Sequence, residues 1–162
     1  SMMIWEEPID AIMKMAPKAP SSYFKDHIVV MIGDQPMIIG VPLGKGNIDL
    51  VECFRILDQQ SPLERINIEV CYGYIAPFHR SEAEGLGAKL GQGCFQIVQS
   101  PYDPDVVAPY LSQYLKNPFK LSAFSWSDLA KMANSESQRE ELVTLQEKAI
   151  VDSVEYVKQL NT

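Results

Sequence analysis

The sequence predicts an α/β fold, because strand-like and helix-like segments alternate in its first half. Residues 23–31 have the apolar and β-branched composition of a strand, and a glycine-containing turn at residues 42–49 leads into an amphipathic helical segment. Residues 66–72 then alternate between apolar and polar side chains, as a half-buried strand does. Strand, helix and strand in this order predict a β-α-β unit whose strands are parallel and joined right-handedly.

Two further elements accompany this unit. A short helix is predicted over residues 6–16, with Pro8 in its first turn and Pro17 beyond its end. After the first strand, the turn residues Gly33 and Asp34 precede a second apolar run. That pattern is compatible with a hairpin or with an extended strand and a folded-back loop.

The central helix is predicted from an apolar stripe at helical spacing, formed by Leu50, Val51, Phe54 and Leu57. Asn47 lies shortly before this stripe and is a residue type that accepts hydrogen bonds from the first turn of a helix. We therefore expect Asn47 to be the N-cap.

Residues 73–104 contain five glycines and few helical stripes, which predicts a long loop. Within it, residues 84–93 superficially resemble the glycine-rich loops that bind phosphate. A mobile loop is the favoured interpretation, because neither a clear strand nor a strong helix flanks the run.

Further helices are expected at residues 104–116, 126–134 and 137–160. The predicted organisation has three segments: a barrel-like β-α-β segment at 2–80, a long loop at 81–103, and a helical C-terminal extension at 104–162 that packs on the same domain.

Charge and composition disfavour several classes of protein. The chain has 21 acidic and 14 basic side chains, a formal charge of −7 and no clustered basic patch, so binding to nucleic acid or to an anionic membrane surface is not expected. It has three cysteines without a C-x-x-C pair, and no apolar run near the roughly 18 residues of a membrane span. These features predict a cytoplasmic protein.

Glu69 is the first candidate site residue. If the apolar face of its strand, with Ile66 and Ile68, packs on helices, then Glu69 faces the interior of a barrel. It also lies toward the C-terminal end of the strand, where barrel enzymes place their active sites. The structural alternative is a carboxylate that pairs with a nearby lysine or arginine, and the strand alone favours this alternative.

The same alternation on the first strand directs Tyr23, Lys25 and His27 inward and places Asp26 on the outward face near a loop. A carboxylate, an imidazole and an amine that face one cavity suit a hydroxylated substrate or a metal ion. Taken singly, His27 is more often a hydrogen-bonded structural residue, and Lys25 a solvated charge or an ion-pair partner. On this interpretation Phe24, Ile28 and Val30 form the outward face.

Three runs of sequence carry a resemblance to a known family. They are Tyr23-Phe-Lys-Asp-His27, Gly40-Val-Pro-Leu-Gly-Lys-Gly-Asn-Ile-Asp49, and residues 63–70, which end in Asn-Ile-Glu-Val. They resemble the last two strands of the xylose-isomerase-like superfamily, and in particular its sugar phosphate isomerases and epimerases. The resemblance implies a partial (β/α)8 TIM barrel, made of the last two β-α units, with a helical C-terminal extension.

The resemblance also implies a chemistry. Members of this superfamily hold a divalent metal ion, here Mn, Mg, Co or Zn, at the C-terminal mouth of the barrel while carboxylates move a proton. Glu69 matches the glutamate of the final strand, a metal ligand and catalytic group. Tyr23 stands where the preceding strand usually has a histidine, so His27 is the candidate second ligand. Lys25, His27 and Arg80 are the expected contacts to a small carbohydrate substrate.

The other metal ligands of the family come from earlier strands, and a full barrel has about 250 residues. A parallel two-stranded unit also leaves both of its edges unpaired. We therefore expect a homo-oligomer or a partner chain that completes the barrel. The alternative is a non-catalytic barrel-derived fragment or subunit that acts in assembly or small-ligand binding. A phosphodiester hydrolase like the apurinic-site endonucleases is disfavoured by the acidic charge.

Overall fold

A computed structural model describes residues 2–70, 72, 74–99 and 136–160 of the 162-residue chain. The described helices are α1 (Pro8–Met15), α2 (Leu50–Gln60) and α3 (Glu136–Leu160). The described strands are β1 (Ser21–Phe24), β2 (Asp26–Ile32), β3 (Gln35–Val41), β4 (Arg65–Ile68) and β5 (Ile75–Pro77).

Strands β1 and β4 form a parallel pair, and α2 lies between them in sequence. Tyr23 stands opposite Asn67 and Phe24 opposite Ile68. The predicted β-α-β unit with parallel strands is therefore confirmed. The apolar side chains of these two strands also face the helix as expected, because Phe24, Ile66 and Ile68 belong to one apolar cluster with α2.

The second sheet is antiparallel, in the order β2-β3-β5. Ile32 pairs with Gln35 across a two-residue turn, and Gly33 in that turn has a φ of 60°, a conformation that glycine adopts without steric cost. Of the two interpretations of this segment, the hairpin is correct. The single strand predicted at residues 23–31 is two strands in the structure. It is interrupted at Lys25, where the chain leaves the sheet of β1 and enters the sheet of β2.

The predicted long loop from residue 73 onward contains a strand, which corrects that prediction. Its backbone pairs with β3, where Met37 stands opposite Pro77 and Ile39 opposite Ile75. Three residues carry too weak a periodic pattern to indicate a strand. This one is defined by a neighbour more than thirty residues earlier in the sequence.

Three apolar clusters form the core. The first packs α1 and α2 against β1 and β4, and its buried members are Ala16, Phe24, Leu43, Leu50, Cys53, Ile56 and Leu57. The second covers one face of the antiparallel sheet, with Ile28, Val30, Ile32, Met37, Ile39, Val41 and Ile75. The third covers the other face, with Met2, Trp5, Val29, Ile38, Cys94 and Phe95.

These clusters correct the expected outward face of the first strand. Phe24 packs with α2, but Ile28 and Val30 lie in the cluster of the hairpin. The cause is the change of sheet at Lys25. Alternation continues along each strand, but the two strands present their apolar faces to different neighbours.

The start of α2 also differs from the prediction. Asp49 is the N-cap, and its side chain accepts a hydrogen bond from the N–H of Glu52 at 2.9 Å. Asn47 instead donates from Nδ2 to the carbonyl oxygens of Cys94 and Gln96. In the apolar stripe, Val51 is 59% exposed, while Cys53 is buried in its place.

The C-terminal helix α3 confirms the expected helix at 137–160. Its last turns pack on the α2 cluster through Tyr156, Val157 and Leu160. Ser153 is buried in the same region and accepts a hydrogen bond from the N–H of Leu43 at 3.0 Å. The expected helices at 104–116 and 126–134 lie outside the described residues.

The fold is thus mixed α/β, with one parallel and one antiparallel sheet and a C-terminal helix, as the α/β prediction required. Within the described ranges these two sheets do not close into a barrel. None of the described helices is both long enough and apolar enough to cross a lipid bilayer.

Candidate functional site

The pairing of β1 with β4 brings Lys25 and Glu69 together. The N–H of Glu69 donates to the carbonyl oxygen of Phe24 at 3.0 Å, which extends the ladder by one residue. The Nζ of Lys25 then lies 2.8 Å from Oε1 of Glu69, and the two side chains are 40% and 46% exposed. Lys25 and Glu69 therefore form an ion pair, which is the structural alternative that the sequence suggested for each of them.

This ion pair lines a cavity of about 650 Å³ between the N-terminal segment, α1 and the two sheets. Its polar wall is formed by Glu6, Ser22, Tyr23, Lys25, His27, Glu69 and Tyr74. Its apolar wall includes Met2, Met3, Ile12, Met15, Phe24 and Ile38. Three of the four predicted site residues, Lys25, His27 and Glu69, thus share one cavity. Its volume is typical of small-molecule sites.

His27 is neutral at physiological pH. Burial, together with the positive charge of Lys25, lowers the pKa of its imidazole to about 4, although the negative charge of Glu69 acts in the opposite direction. A neutral imidazole has one nitrogen that donates and one that accepts hydrogen bonds. His27 can therefore hydrogen-bond a hydroxyl group of a ligand in either direction.

Arg80 lies apart from the other three predicted residues. It lines a second cavity of about 320 Å³ together with Trp5, Phe78 and Glu82. The carbonyl oxygen of Arg80 accepts a hydrogen bond from Nε1 of Trp5 at 2.9 Å. Its position does not support the expected role beside Glu69.

The described residues do not by themselves fit a divalent metal ion. Among them, no three His, Cys, Asp or Glu side chains are grouped as a metal site requires. His27 and Glu69 share the cavity, but the carboxylate of Glu69 is in contact with the ammonium group of Lys25. Two side chains are fewer than the three or four that a Zn site uses, and the carboxylate, the one of the two that suits Mg or Mn, is already paired with Lys25, so no metal-dependent step is assigned to these residues.

Asp26 was not predicted as an important residue, yet it organises the loop beside the cavity. It is fully buried, and its carboxylate accepts hydrogen bonds from the N–H groups of His27, Gly44, Gly46 and Ile48 at 2.9 to 3.3 Å. Burial raises its pKa to about 6, and the four N–H groups oppose that effect. The Gly-x-Gly spacing at 44–46 was the available signal, because it lets the backbone approach a carboxylate closely.

Trp5 is the second residue that the sequence did not indicate. Its ring stacks on Phe78 with centroids 3.9 Å apart and on Phe95 at 5.4 Å. Its carbonyl oxygen accepts a hydrogen bond from the N–H of Ala88, and its φ of 58° is unusual for a residue with a side chain. Trp5 therefore joins the N-terminal segment to residues 78–95.

The glycine-rich run at residues 84–93 wraps around this N-terminal segment. A Cβ atom at Gly85 would overlap Trp5, and one at Gly93 would overlap the carboxylate of Glu7. Two of its glycines thus permit close packing on the protein itself. This arrangement gives no support to a phosphate-binding loop.

The two cysteines among the described residues are free, buried thiols. Burial raises the pKa of Cys53 to about 12. Burial and a 2.8 Å hydrogen bond to Glu7 raise the pKa of Cys94 strongly. Neither is a thiolate at neutral pH, so neither is suited to nucleophilic chemistry.

Comparisons with models of protein families, with curated proteins and with solved structures find no match to this chain.

Proposed function

We propose that the chain contributes the Lys25, His27 and Glu69 site to a sugar or sugar-phosphate isomerase or epimerase. The single observation that supports this function is the convergence of these three side chains on one cavity of about 650 Å³. An amine, an imidazole and a carboxylate are the groups that bind a hydroxy-carbonyl compound and move its protons.

In the proposed reaction, the carboxylate of Glu69 removes a proton from the carbon next to the substrate carbonyl. The electron pair of the broken C–H bond forms the enolate, whose negative oxygen is stabilised by the ammonium group of Lys25. Transfer of the proton of the adjacent hydroxyl to the enolate oxygen, followed by return of the carbon-bound proton to the former carbonyl carbon, gives the isomer. Return of the proton to its original carbon from the other face restores the carbonyl and gives the epimer. The neutral imidazole of His27 orients a substrate hydroxyl.

The parallel strand pair supports this proposal at the level of the fold. We propose that β1, α2 and β4 correspond to the last two β-α units of a partial (β/α)8 barrel, because they form a parallel pair joined through a helix. Parallel sheets are normally covered on both faces and longer than two strands. The proposal therefore includes a homo-oligomer or a partner chain that supplies further strands, and any divalent metal would depend on ligands from there.

The ion pair favours a second candidate. Lys25 and Glu69 already neutralise one another at 2.8 Å, as in a structural surface pair. A protein that uses the cavity only to bind a small ligand, or a subunit that acts in assembly, would have the same arrangement. This non-catalytic function predicts ligand binding without turnover.

The test combines binding and turnover on a panel of aldoses, ketoses and their phosphates, with the native mass and metal content determined on the same sample. We expect Glu69→Gln to retain the fold and to lower turnover at least about 100-fold, the usual contribution of an acid–base group. Glu64→Gln is the matched control, because Glu64 is an exposed carboxylate just before β4. Binding without isomerisation would leave the non-catalytic function, and equal turnover in Glu69→Gln would refute the catalytic one.

A further inference from the structure

The lining of the 650 Å³ cavity differs between the strands and the helices. Its polar groups come mainly from the strands and the residues beside them, namely Ser22, Tyr23, Lys25, His27 and Glu69. Its apolar side is formed by the N-terminal segment, α1 and the first residue of α2, with Met2, Met3, Ala11, Ile12, Met15 and Leu50. The cavity therefore has a polar side and an apolar side, each supplied by different elements.

The reaction proposed above uses only the polar side. Lys25, His27 and Glu69 act on a carbonyl and the hydroxyl next to it, a unit of only a few atoms. A cavity of about 650 Å³ accommodates a much larger ligand. A sugar hydroxyl placed against α1 would lose its hydrogen bonds with water, and the side chains by which α1 lines the cavity are all apolar. An apolar group of the ligand suits this side better.

The exposure of the lining points to the same conclusion. Met15 and Tyr23 both line the cavity, and each is 66% exposed. Large apolar side chains that gather in solvent beside a cavity are typical of a ligand-binding surface. Met2 and Met3 lie in the same lining, and methionine packs against ligands of different shape because its thioether side chain is unbranched and flexible.

We propose that the substrate of this site is a hydroxy-carbonyl compound that carries an apolar alkyl or aryl substituent. Its polar end lies between Lys25, His27 and Glu69, and its substituent lies against α1 and the N-terminal methionines. This inference rests on the proposed function, from which it takes the position of the polar end. Removal of the substituent from water then supplies most of the affinity.

A homologous series tests the apolar side. NMR titration of the full chain would compare 1-hydroxypentan-2-one, 1-hydroxyheptan-2-one and 1-hydroxynonan-2-one, which share one polar end and differ only in chain length. We expect about tenfold tighter binding for each added pair of methylene groups, until the apolar side is filled. Equal affinity across the series would overturn the inference.

A variant tests where the substituent lies. Ala11→Leu adds volume to the apolar side and should weaken the binding of 1-hydroxynonan-2-one about tenfold, with much less effect on 1-hydroxypentan-2-one. Met13→Leu is the matched control, because Met13 is also on α1 but lies outside the lining and is 52% exposed. Alanine, methionine and leucine all favour helix, so both variants should keep α1. Unchanged binding of the long ketone in folded Ala11→Leu would contradict the proposed position.

Catalysis on the same probes separates this inference from the proposed function. In D2O, removal and return of the proton at carbon 1 gives deuterium incorporation there or conversion to the 2-hydroxyalkanal, and both should depend on Glu69. Glu69-dependent chemistry with no effect of chain length would overturn the inference and leave the proposed function standing. Affinity that rises with chain length, without such chemistry, would overturn the proposed function and support the apolar side alone. Both effects together would support both proposals.

Discussion

The carboxylate of Asp26 lies against the α-carbon of Gly46, whose N–H it binds at 2.9 Å. A Cβ atom at position 46 would overlap Oδ1 of this carboxylate and also meet the carbonyl oxygen of His27 at 2.7 Å. Glycine is required here by the close approach of the carboxylate, since the φ angle of Gly46 is not in the left-handed region.

Gly46→Ala is therefore expected to destabilise the protein by about 3 kcal/mol, because either the buried carboxylate or the loop must move. Denaturant unfolding measures the loss. Gly87→Ala is the comparison, since Gly87 has a φ of 104° and open space around it. That variant should lose only about 1 kcal/mol from backbone strain. Equal losses would show that the approach of Asp26 is not the cause.

Asp26→Ala should cost at least about 2 kcal/mol at pH 7, because four N–H groups lose their acceptor. The loss should be about 1 kcal/mol larger at pH 5, since the folded-state pKa of Asp26 is near 6 and its unfolded value near 3.8. A raised carboxyl pKa stabilises the fold at low pH, and this contribution is lost as the pH rises from about 4 to 6. Asp34→Ala, at an exposed turn, should cost less than about 0.5 kcal/mol.

His27 should make the protein less stable in acid. Its pKa is about 4 in the folded state and 6.5 in the unfolded chain, so only the unfolded chain gains a proton between these values. This contribution to stability is complete above pH 6.5 and falls by about 3 kcal/mol as the pH drops to 4. Proton NMR titration measures the pKa directly, with His27→Asn to assign the resonance. A value near 6.5 would show that the partial burial of the imidazole does not lower its pKa.

Between pH 4 and 6, the contribution of Asp26 to the free energy of unfolding falls as the pH rises, whereas that of His27 increases. Stability measured on the unmodified protein should therefore vary little in that interval. In His27→Asn, stability should fall as the pH rises from 4 to 6, because the contribution of Asp26 is then unopposed. A flat profile in this variant would show that the pKa of Asp26 is not raised.

Trp5 is expected to hold the segment at residues 78–95 in place. Trp5→Ala should cost about 4 kcal/mol, as for other buried aromatic side chains, and Trp5→Phe about 1 kcal/mol from the lost hydrogen bond to Arg80. Amide hydrogen exchange is the sharper measurement. The N–H groups of Leu86 and Ala88 bind the carbonyl oxygens of Ile4 and Trp5, so their exchange should accelerate in folded Trp5→Ala. Exchange in α2 should change much less.

The parallel pair could be predicted from the order strand, helix and strand, and the ion pair from the alternation of side chains along the two strands. Once β1 and β4 are side by side, a period of two places Lys25 and Glu69 on the same face. The same rule failed for Ile28 and Val30, because it assumed one continuous strand across Lys25. The alternation of apolar and polar residues does not indicate where the chain passes from one sheet to another.

The contacts of Trp5 could not be predicted because they join distant parts of the chain. Its hydrogen bond to Arg80 spans 75 residues, and no local pattern specifies which segment a buried tryptophan meets. Asp26 is an intermediate case. The glycines at 44 and 46 indicated that something approaches the loop, but only the folded backbone shows that it is a carboxylate eighteen to twenty residues earlier.

The loop at residues 43–48 has a consequence for folding during synthesis. It is held from one side by Asp26 and from the other by α3, where Ser153 accepts the N–H of Leu43 and the ring of Tyr156 covers Gly44. The bond between Leu43 and Ser153 spans 110 residues. On the ribosome, Asp26 can bind the loop early, but the contacts with α3 must wait until residues 153–156 have left the exit tunnel. The contacts of this loop with α3 therefore form later in synthesis than its contact with Asp26.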